Sequence, residues 1–310
     1  MTEQVITLKS KKESFRINNA VLGYILIIPA LLCIAVVALY PVFQTFRLSL
    51  YDMKLQFISD TKFIGMVNYI NLFQDYRFLL AAWNTLRFTV ISVLLELILG
   101  IIMALLMNKK FKGIGIVRAA VLVPWAIPTI VSALMWKFIF HDQFGVLNDI
   151  LSRLGIISSY QAWLGTPLAA MGAAICVDVW KTSPFMGLLI LAGLQNIPDT
   201  IYEAAKVDGA NNIKCFFRII LPMLKPTIMV ALIFRTLDAF RVFDLLFVLT
   251  GGGPGNSTET FVVYAYKTLF RNLDFGLGSA MAVIIFLCLF TLAMLYIRFL
   301  DKSILKQGEN

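Results

Sequence analysis

The chain has 310 residues, 59% of them hydrophobic and 15% charged, where soluble domains carry about 25% charged residues. That balance excludes an ordinary water-soluble domain, and the four scattered cysteines, with no C-x-x-C or His/Cys cluster, exclude a disulfide framework and a zinc site. The net charge of +9 is concentrated in short segments between apolar runs, which argues for membrane topology and against nucleic-acid binding.

Apolar runs of roughly 18 residues or more mark membrane helices. Six are predicted, near residues 20–46, 85–107, 119–140, 167–194, 222–249 and 279–300, within a membrane domain over residues 20–300. A basic tail (residues 1–19) holds Lys9, Lys11, Lys12 and Arg16. The first run is too long for the apolar core of a signal peptide and ends in Tyr40-Pro41 rather than small residues, so it is expected to stay as an anchor. Residues 47–84 are rich in aromatics (Phe63, Tyr69, Phe73, Tyr76, Trp83) and are expected to hold an interfacial helix. After the second run come Lys109, Lys110, Lys112 and Arg118; after the fourth, Lys206, Lys214, Arg218 and Lys225; at the end, a tail (residues 301–310) with Lys302 and Lys306. By the positive-inside rule these four stretches are cytoplasmic, and both termini with them. The opposite loops are poorer in basic residues, residues 141–166 having Arg153 alone.

Charges inside the apolar runs are costly, about 2.5–3.5 kcal/mol each at the bilayer centre, so they should avoid lipid. The second run has Glu96, the fourth Asp178 and Lys181, and the fifth Arg235, Asp238, Arg241 and Asp244, alternating in sign every third residue. Neighbours at this spacing can pair along one helix and hold the bundle together. They can equally border a hydrated path for a polar solute; successive steps of three drift around a helix, so not all can share one stripe. Asp178, Lys181, Arg235, Asp238, Arg241 and Asp244 are the path candidates, with Phe240 and Phe243 as flat faces for a sugar ring. The glycine-rich turn Gly251-Gly252-Gly253-Pro254 suits either contact with a docked protein or a mobile loop.

The polar island EAAKVDGANNIKCFFRIILPMLKP, residues 203–226, reads as two short helices around Gly209, the first opened by a Thr200/Glu203 capping box. Its Glu203, Ala204, Ala205, Asp208, Gly209, Ala210, Ile219, Leu221 and Pro222 resemble the EAA loop of ABC importer permeases, about nine fixed positions in the right topological context. The external "FIGMVNYINLF" and the TGGGP turn are similar to loops of the sugar-permease branch.

The resemblance implies an all-α membrane protein of the type I ABC importer fold, multi-pass in the cytoplasmic membrane, with residues 199–226 as the coupling loop. In that family Glu203, Ala204, Ala205, Asp208, Gly209 and Ala210 would seat on an ATPase subunit. The implied partners are a second homologous permease, two ATP-binding subunits, an extracytoplasmic solute-binding protein, membrane lipid and a carbohydrate cargo. ATP and Mg would sit on the partner ATPase, since this chain has no G-x-x-x-x-G-K-[ST] loop, no catalytic residue set and no metal cluster. The rival is a self-contained transporter driven by an ion gradient, with Asp178, Asp238 and Asp244 as proton carriers.

Overall fold

The computed structural model describes residues 19–308, with side chains described for residues 22–299. The basic residues of the N-terminal tail lie outside that range. The chain forms two units, Met1–Arg47 and Leu48–Asn310.

In the first unit, α1 (Asn19–Ile34) runs through a π-helical turn (Ala35–Leu39) into α2 (Tyr40–Leu48). The wide turn ends just before Pro41, which has no N–H for the carbonyl four residues back. Thr45 Oγ1 in turn donates to the Pro41 carbonyl at 2.8 Å. The stretch Leu22–Leu48 is long and apolar enough to cross a membrane, and from Leu22 to Phe43 its side chains are apolar all round the helix, as a lipid-embedded span requires.

The second unit opens with a two-stranded ribbon, β1 (Tyr51–Asp52) antiparallel to β2 (Lys62–Phe63), pairing Tyr51 with Phe63 and Asp52 with Lys62. A short helix, α3 (Val67–Gln74), follows in the stretch expected to hold an interfacial one, tied back by Asn68 Nδ2 to the carbonyls of Ser49 (2.8 Å) and Tyr51 (3.0 Å). Then α4 (Tyr76–Met107) starts nine residues before its predicted apolar run, because Asp75 accepts from the Arg77 amide at 2.9 Å and caps the helix.

The predicted third span is broken. In its place stand α5 (Ile114–Ala126) and α6 (Thr129–Ile139), bent by 91°. Ile127 precedes Pro128 and is extended (φ −72°, ψ 133°), as proline demands of the residue before it. After α7 (Val146–Arg153), α8 (Pro167–Gln195) starts with proline at a helix position where no N–H is missed. Next come α9 (Asp199–Val207) and α10 (Asn212–Cys215), which continues through a π turn (Phe216–Ile220) into α11 (Leu221–Phe240). The predicted second stubby helix is therefore the beginning of the span itself. The π turn ends just before Leu221-Pro222, as the one in the first unit ends just before Tyr40-Pro41, and so accommodates a proline that has no N–H to donate within the continuous helix.

The fifth span, predicted to reach residue 249, stops at Phe240; α12 (Asp244–Leu249) is a separate helix. The chain ends with α13 (Phe261–Tyr266) and α14 (Phe275–Gly308), which stays helical past the predicted end of the last span. Among the described residues, five helical stretches are apolar and long enough to span a membrane, and the α5–α6 pair makes a sixth only if its two arms count as one.

Small residues set the centre of the second unit. A Cβ at Gly100 of α4 would meet Met186 Cγ at 2.7 Å and the Gly187 amide at 3.2 Å, and one at Gly193 of α8 would meet Thr227 of α11 at 2.7 Å. Glycine thus lets α4, α8 and α11 approach closely, as dispersion-driven packing between membrane helices requires. One core cluster gathers Ala104, Met107, Met186, Ile190, Leu194 and Leu224 toward α9; another gathers Phe88, Met171, Leu245, Leu246 and Leu249 at the opposite end.

Candidate functional site

Three helices meet at a buried charge cluster. Arg235 of α11 donates from Nε to Glu96 Oε2 of α4 and from Nη2 to Asp178 Oδ2 of α8, with a further bond of 2.9 Å to Glu96 Oε1. All three side chains are nearly inaccessible to solvent. Thr182 Oγ1 lies 2.7 Å from Glu96 Oε1 and 2.6 Å from the Asp178 carbonyl, with one proton to give to either. Lys181 takes no carboxylate. Its ammonium donates to the carbonyls of Ile127 (2.8 Å) and Trp125 (3.4 Å). A cation there satisfies backbone acceptors freed by the break after α5 and sits at the negative end of its dipole. Two acids and two bases are thus buried together, each with a polar partner, as ionised groups away from water must be.

This corrects the ladder expected along one helix. Arg235 finds its main partners on other helices, and Asp238 approaches it only to 3.7 Å. Asp238 and Arg241 do pair, at 3.0 Å, but both are mostly solvent-exposed. Asp244 belongs to α12, because the backbone leaves helical geometry at Arg241 (φ −101°, ψ 16°) and Phe243 (φ −130°, ψ −63°). The turn lets Leu245, Leu246 and Leu249 bury themselves in the core. Phe240 is buried in a separate cluster with Phe78, Phe261 and Met281, tilted against Phe261, and offers no face to a solute.

The bend nevertheless gathers the path candidates. Asp178, Lys181, Arg235, Asp238, Arg241 and Asp244 all line one cavity of about 280 Å³, together with Thr129, Thr182 and Phe243. The Phe243 ring is held by stacking on Phe247 (5.0 Å between centroids, 21°) and by Tyr266 at 4.8 Å. The cavity offers carboxylate acceptors, guanidinium donors and one aromatic edge, a combination suited to a polyhydroxylated ligand.

At the far end of the same helices lies the DGA turn. The Gly209 amide donates to the Lys206 carbonyl (3.0 Å) and the Ala210 amide to the Ala205 carbonyl (2.9 Å), with Gly209 at φ +73°. These two bonds define a Schellman motif, which closes α9 and needs the left-handed residue. Asn211 then caps α10, its side chain accepting from the Lys214 amide at 2.8 Å. The capping box does not form: α9 starts at Asp199 behind Pro198, with no side-chain cap, and Thr200 and Glu203 lie inside the helix. Asp199 supplies the acid of the first turn and meets Lys110 at 2.8 Å. Glu203 is exposed with no partner among the described residues, Ala204, Asp208 and Gly209 are exposed beside it, and Ala205 is buried. Val207, Ile213 and Phe217 are exposed apolar residues on the same loop.

Sequence reasoning missed a third cluster. Glu259, fully buried, accepts from Arg77 Nε (2.7 Å) and Nη2 (2.9 Å) and from Lys267 Nζ (2.6 Å). Asn84 Nδ2 donates to the carbonyls of Asn256 (2.9 Å) and Glu259 (3.1 Å), and Thr258 Oγ1 to that of Gly253 (2.8 Å). These bonds tie the loop carrying Gly251, Gly252, Gly253 and Pro254 back to α4 through Arg77 and Asn84. Nearby, Tyr264 donates its hydroxyl to Asp75 at 2.6 Å; burial, then that carboxylate, push the phenol above its ordinary pKa. Arg77 and Glu259 are 182 residues apart, and nothing local in the sequence marks the pair.

The family described as "Binding-protein-dependent transport system inner membrane component" matches residues 96–306. Over 282 residues the chain is 45% identical to the trehalose/maltose transport system permease protein MalF of Thermococcus litoralis, covering 91% of this chain and 94% of that protein. It is 41% identical to the sulfoquinovosyl glycerol transport system permease protein SmoG of Agrobacterium fabrum, covering 91% of each. The crystal structure of a bacterial ABC transporter importing the acidic polysaccharide alginate matches with a TM-score of 0.78 at 24% identity, covering 91% of this chain and 95% of that one; at this identity it speaks for the fold. With the family's region spanning residues 96–306 and full-length relatives above 40% identity, this chain belongs to the binding-protein-dependent transport system inner membrane component family.

Proposed function

We propose that the chain is one membrane subunit of an ATP-driven sugar importer, supplying part of the solute path and the lever that couples it to ATP hydrolysis. The observation that carries the coupling reading is the DGA turn: a rigid Schellman-closed helix whose Glu203 lacks an internal partner and whose Val207 and Phe217 stay uncovered. Such a surface fits a protein cleft that supplies a cation for Glu203 and an apolar floor. The ATP and Mg would be held by two partner ATPase subunits on the cytoplasmic side, where the lysine-rich segments and both termini are placed by the positive-inside rule. A second, homologous permease completes the path, and an extracytoplasmic solute-binding protein delivers the cargo onto the Gly251–Pro254 turn. One solved relative in fold carries such a periplasmic protein with an alginate pentasaccharide.

The cargo reading rests on relatives named for trehalose/maltose, sulfoquinovosyl glycerol and trehalose, and on the mixed donor–acceptor lining of the cavity at Asp178, Arg235 and Asp238. A di- or oligosaccharide fits both. Alternating access follows if ATPase closure moves α9, and with it α8 and α11, whose outer halves carry the cavity. An ion-driven transporter gains nothing from the loop, and Asp178 is already committed to Arg235.

The test is reconstitution with the second permease, the ATPase and the binding protein in vesicles. Uptake of labelled disaccharide should require ATP on the ATPase side and should stop with Gly209→Pro while assembly of the two permeases persists. Uptake driven by an ion gradient without ATP would overturn the reading.

A further inference from the structure

The 91° bend at Ile127–Pro128 carries α6 away from the face that α4 and α8 present, and a groove of about 820 Å³ is left between α4, α5 and α8. Its wall on α4 is a stripe at helical spacing, Ile91, Leu95, Leu99 and Met103, faced by Met171 and Ile175 of α8. Gly172 forms part of the floor, and a Cβ there would meet nothing within 4 Å. Among the described residues, the one charged residue on the groove is Arg87, at the end where α8 begins. Its Nε is buried and has no hydrogen-bond partner, and no ion pair forms with it among the described residues. From Arg87 to Met103 the stripe runs about 24 Å at about 1.5 Å per residue. That exceeds the half-thickness of a hydrocarbon core of about 30 Å.

We propose that this groove is a binding site for a membrane glycerophospholipid, its phosphodiester on Arg87 and one acyl chain laid along Ile91, Leu95 and Leu99. The inference rests on the reading of α4 and α8 as membrane spans. A long side chain on a helix leans toward the helix N-terminus, so the Arg87 guanidinium reaches toward the start of α4, the end of the groove flanked by Leu168, and away from the apolar stripe. That polarity is the polarity of a lipid: an anion at one end, methylenes along the rest. A phosphodiester supplies the counter-charge that the Arg87 guanidinium at the groove's end lacks among the described residues, through charge-assisted bonds. An apolar helix seated in the same groove fills the stripe but leaves the guanidinium without a counter-charge.

The test uses the assembled importer in vesicles containing a trace of phosphatidylglycerol with a photoreactive acyl chain. Labelled peptides are mapped by mass spectrometry, with the exposed α14 face around Phe290 as the bulk-lipid reference. Adducts should concentrate on the α4 and α8 peptides of the groove. Both Arg87→Gln and Gly172→Leu should lower them about tenfold relative to the reference, the scale of one lost charged hydrogen bond. Gly172→Leu enters open space inside a helix, so it fills the groove without a clash. Labelling of the groove equal to the α14 face in the wild type would overturn the site. Unchanged labelling in Arg87→Gln would overturn the phosphodiester contact. Cross-linking from a photoreactive side chain at position 172 to the second permease instead of to lipid would assign the groove to a subunit interface. Because the readout is labelling and not uptake, none of these results bears on the transport reading.

Discussion

At the scale of single residues the structure separates two kinds of charge that look alike in the sequence. Arg235 is sealed between Glu96 and Asp178, and removing one member strands the others, which costs about 3–5 kcal/mol in a buried network. Arg235→Met should therefore lower the thermal stability of the purified complex strongly, and adding Glu96→Gln with Asp178→Asn should restore much of it. Tryptophan-fluorescence melting reads both; a single Arg235→Met that melts like the wild type would refute the structural role. Asp238 differs, because it is well exposed and its pairing with Arg241 is screened by water. Asp238→Asn should leave melting unchanged within about 1 kcal/mol and act on uptake or sugar selectivity. The sequence shows both residues at i,i+3 spacing and cannot tell them apart, since burial depends on Glu96 and Asp178 arriving from other helices.

At the scale of elements, two breaks do the positioning. The α5–α6 break is written in the sequence by Pro124 and Pro128, but its consequence is tertiary: Lys181 of α8 reaches the carbonyls it frees. Lys181→Met should loosen this junction, seen as faster amide exchange over residues 124–130 with the Arg235 cluster still intact. Equal exchange in wild type and variant would show that the lysine is dispensable there. The break after Phe240 has no glycine or proline to announce it; Leu245, Leu246 and Leu249 turn back because a core exists to receive them. The DGA turn is the opposite case, legible from local chemistry alone. Gly209 at φ +73° tolerates neither proline nor a β-branched residue, so Gly209→Val should uncouple ATP hydrolysis from uptake while leaving the permease pair assembled. Glu203→Lys should do the same through the docking surface rather than through the fold, since Glu203 lies beyond the first turn of α9 and caps nothing.

At the scale of the molecule, the cavity at Asp178 and Arg235 and the DGA turn at Gly209 lie toward opposite ends of α8 and α11, joined by the close packing of Gly193 against Thr227. Membrane topology orders these ends. Cysteines at Asn108 and Asn212 should resist impermeant thiol reagents in intact cells, while those at Asp60 and Ser158 should react. The reverse pattern would put the DGA turn on the wrong side for an ATPase and overturn its proposed coupling role. Glu259→Gln probes the remaining end. It weakens the clamp from Arg77 and Lys267 on the glycine turn and should reduce stimulation by the binding protein more than it reduces basal hydrolysis.

What the sequence determined by itself was whatever depends on neighbours in the chain: apolar run lengths, the lysine and arginine asymmetry, and the glycine turn at Asp208-Gly209-Ala210. Each is governed by a local rule of solvation or backbone geometry. The tertiary structure decided which charges are buried, where helix five ends, and that the glycine turn near Pro254 is tied back to α4, because those outcomes rest on groups more than fifty residues apart, Arg235 with Asp178 and Arg77 with Glu259. A charge in an apolar run signals that a partner is needed. Only the folded chain names the partner, since the low dielectric that makes pairing obligatory does not exist until the helices have packed.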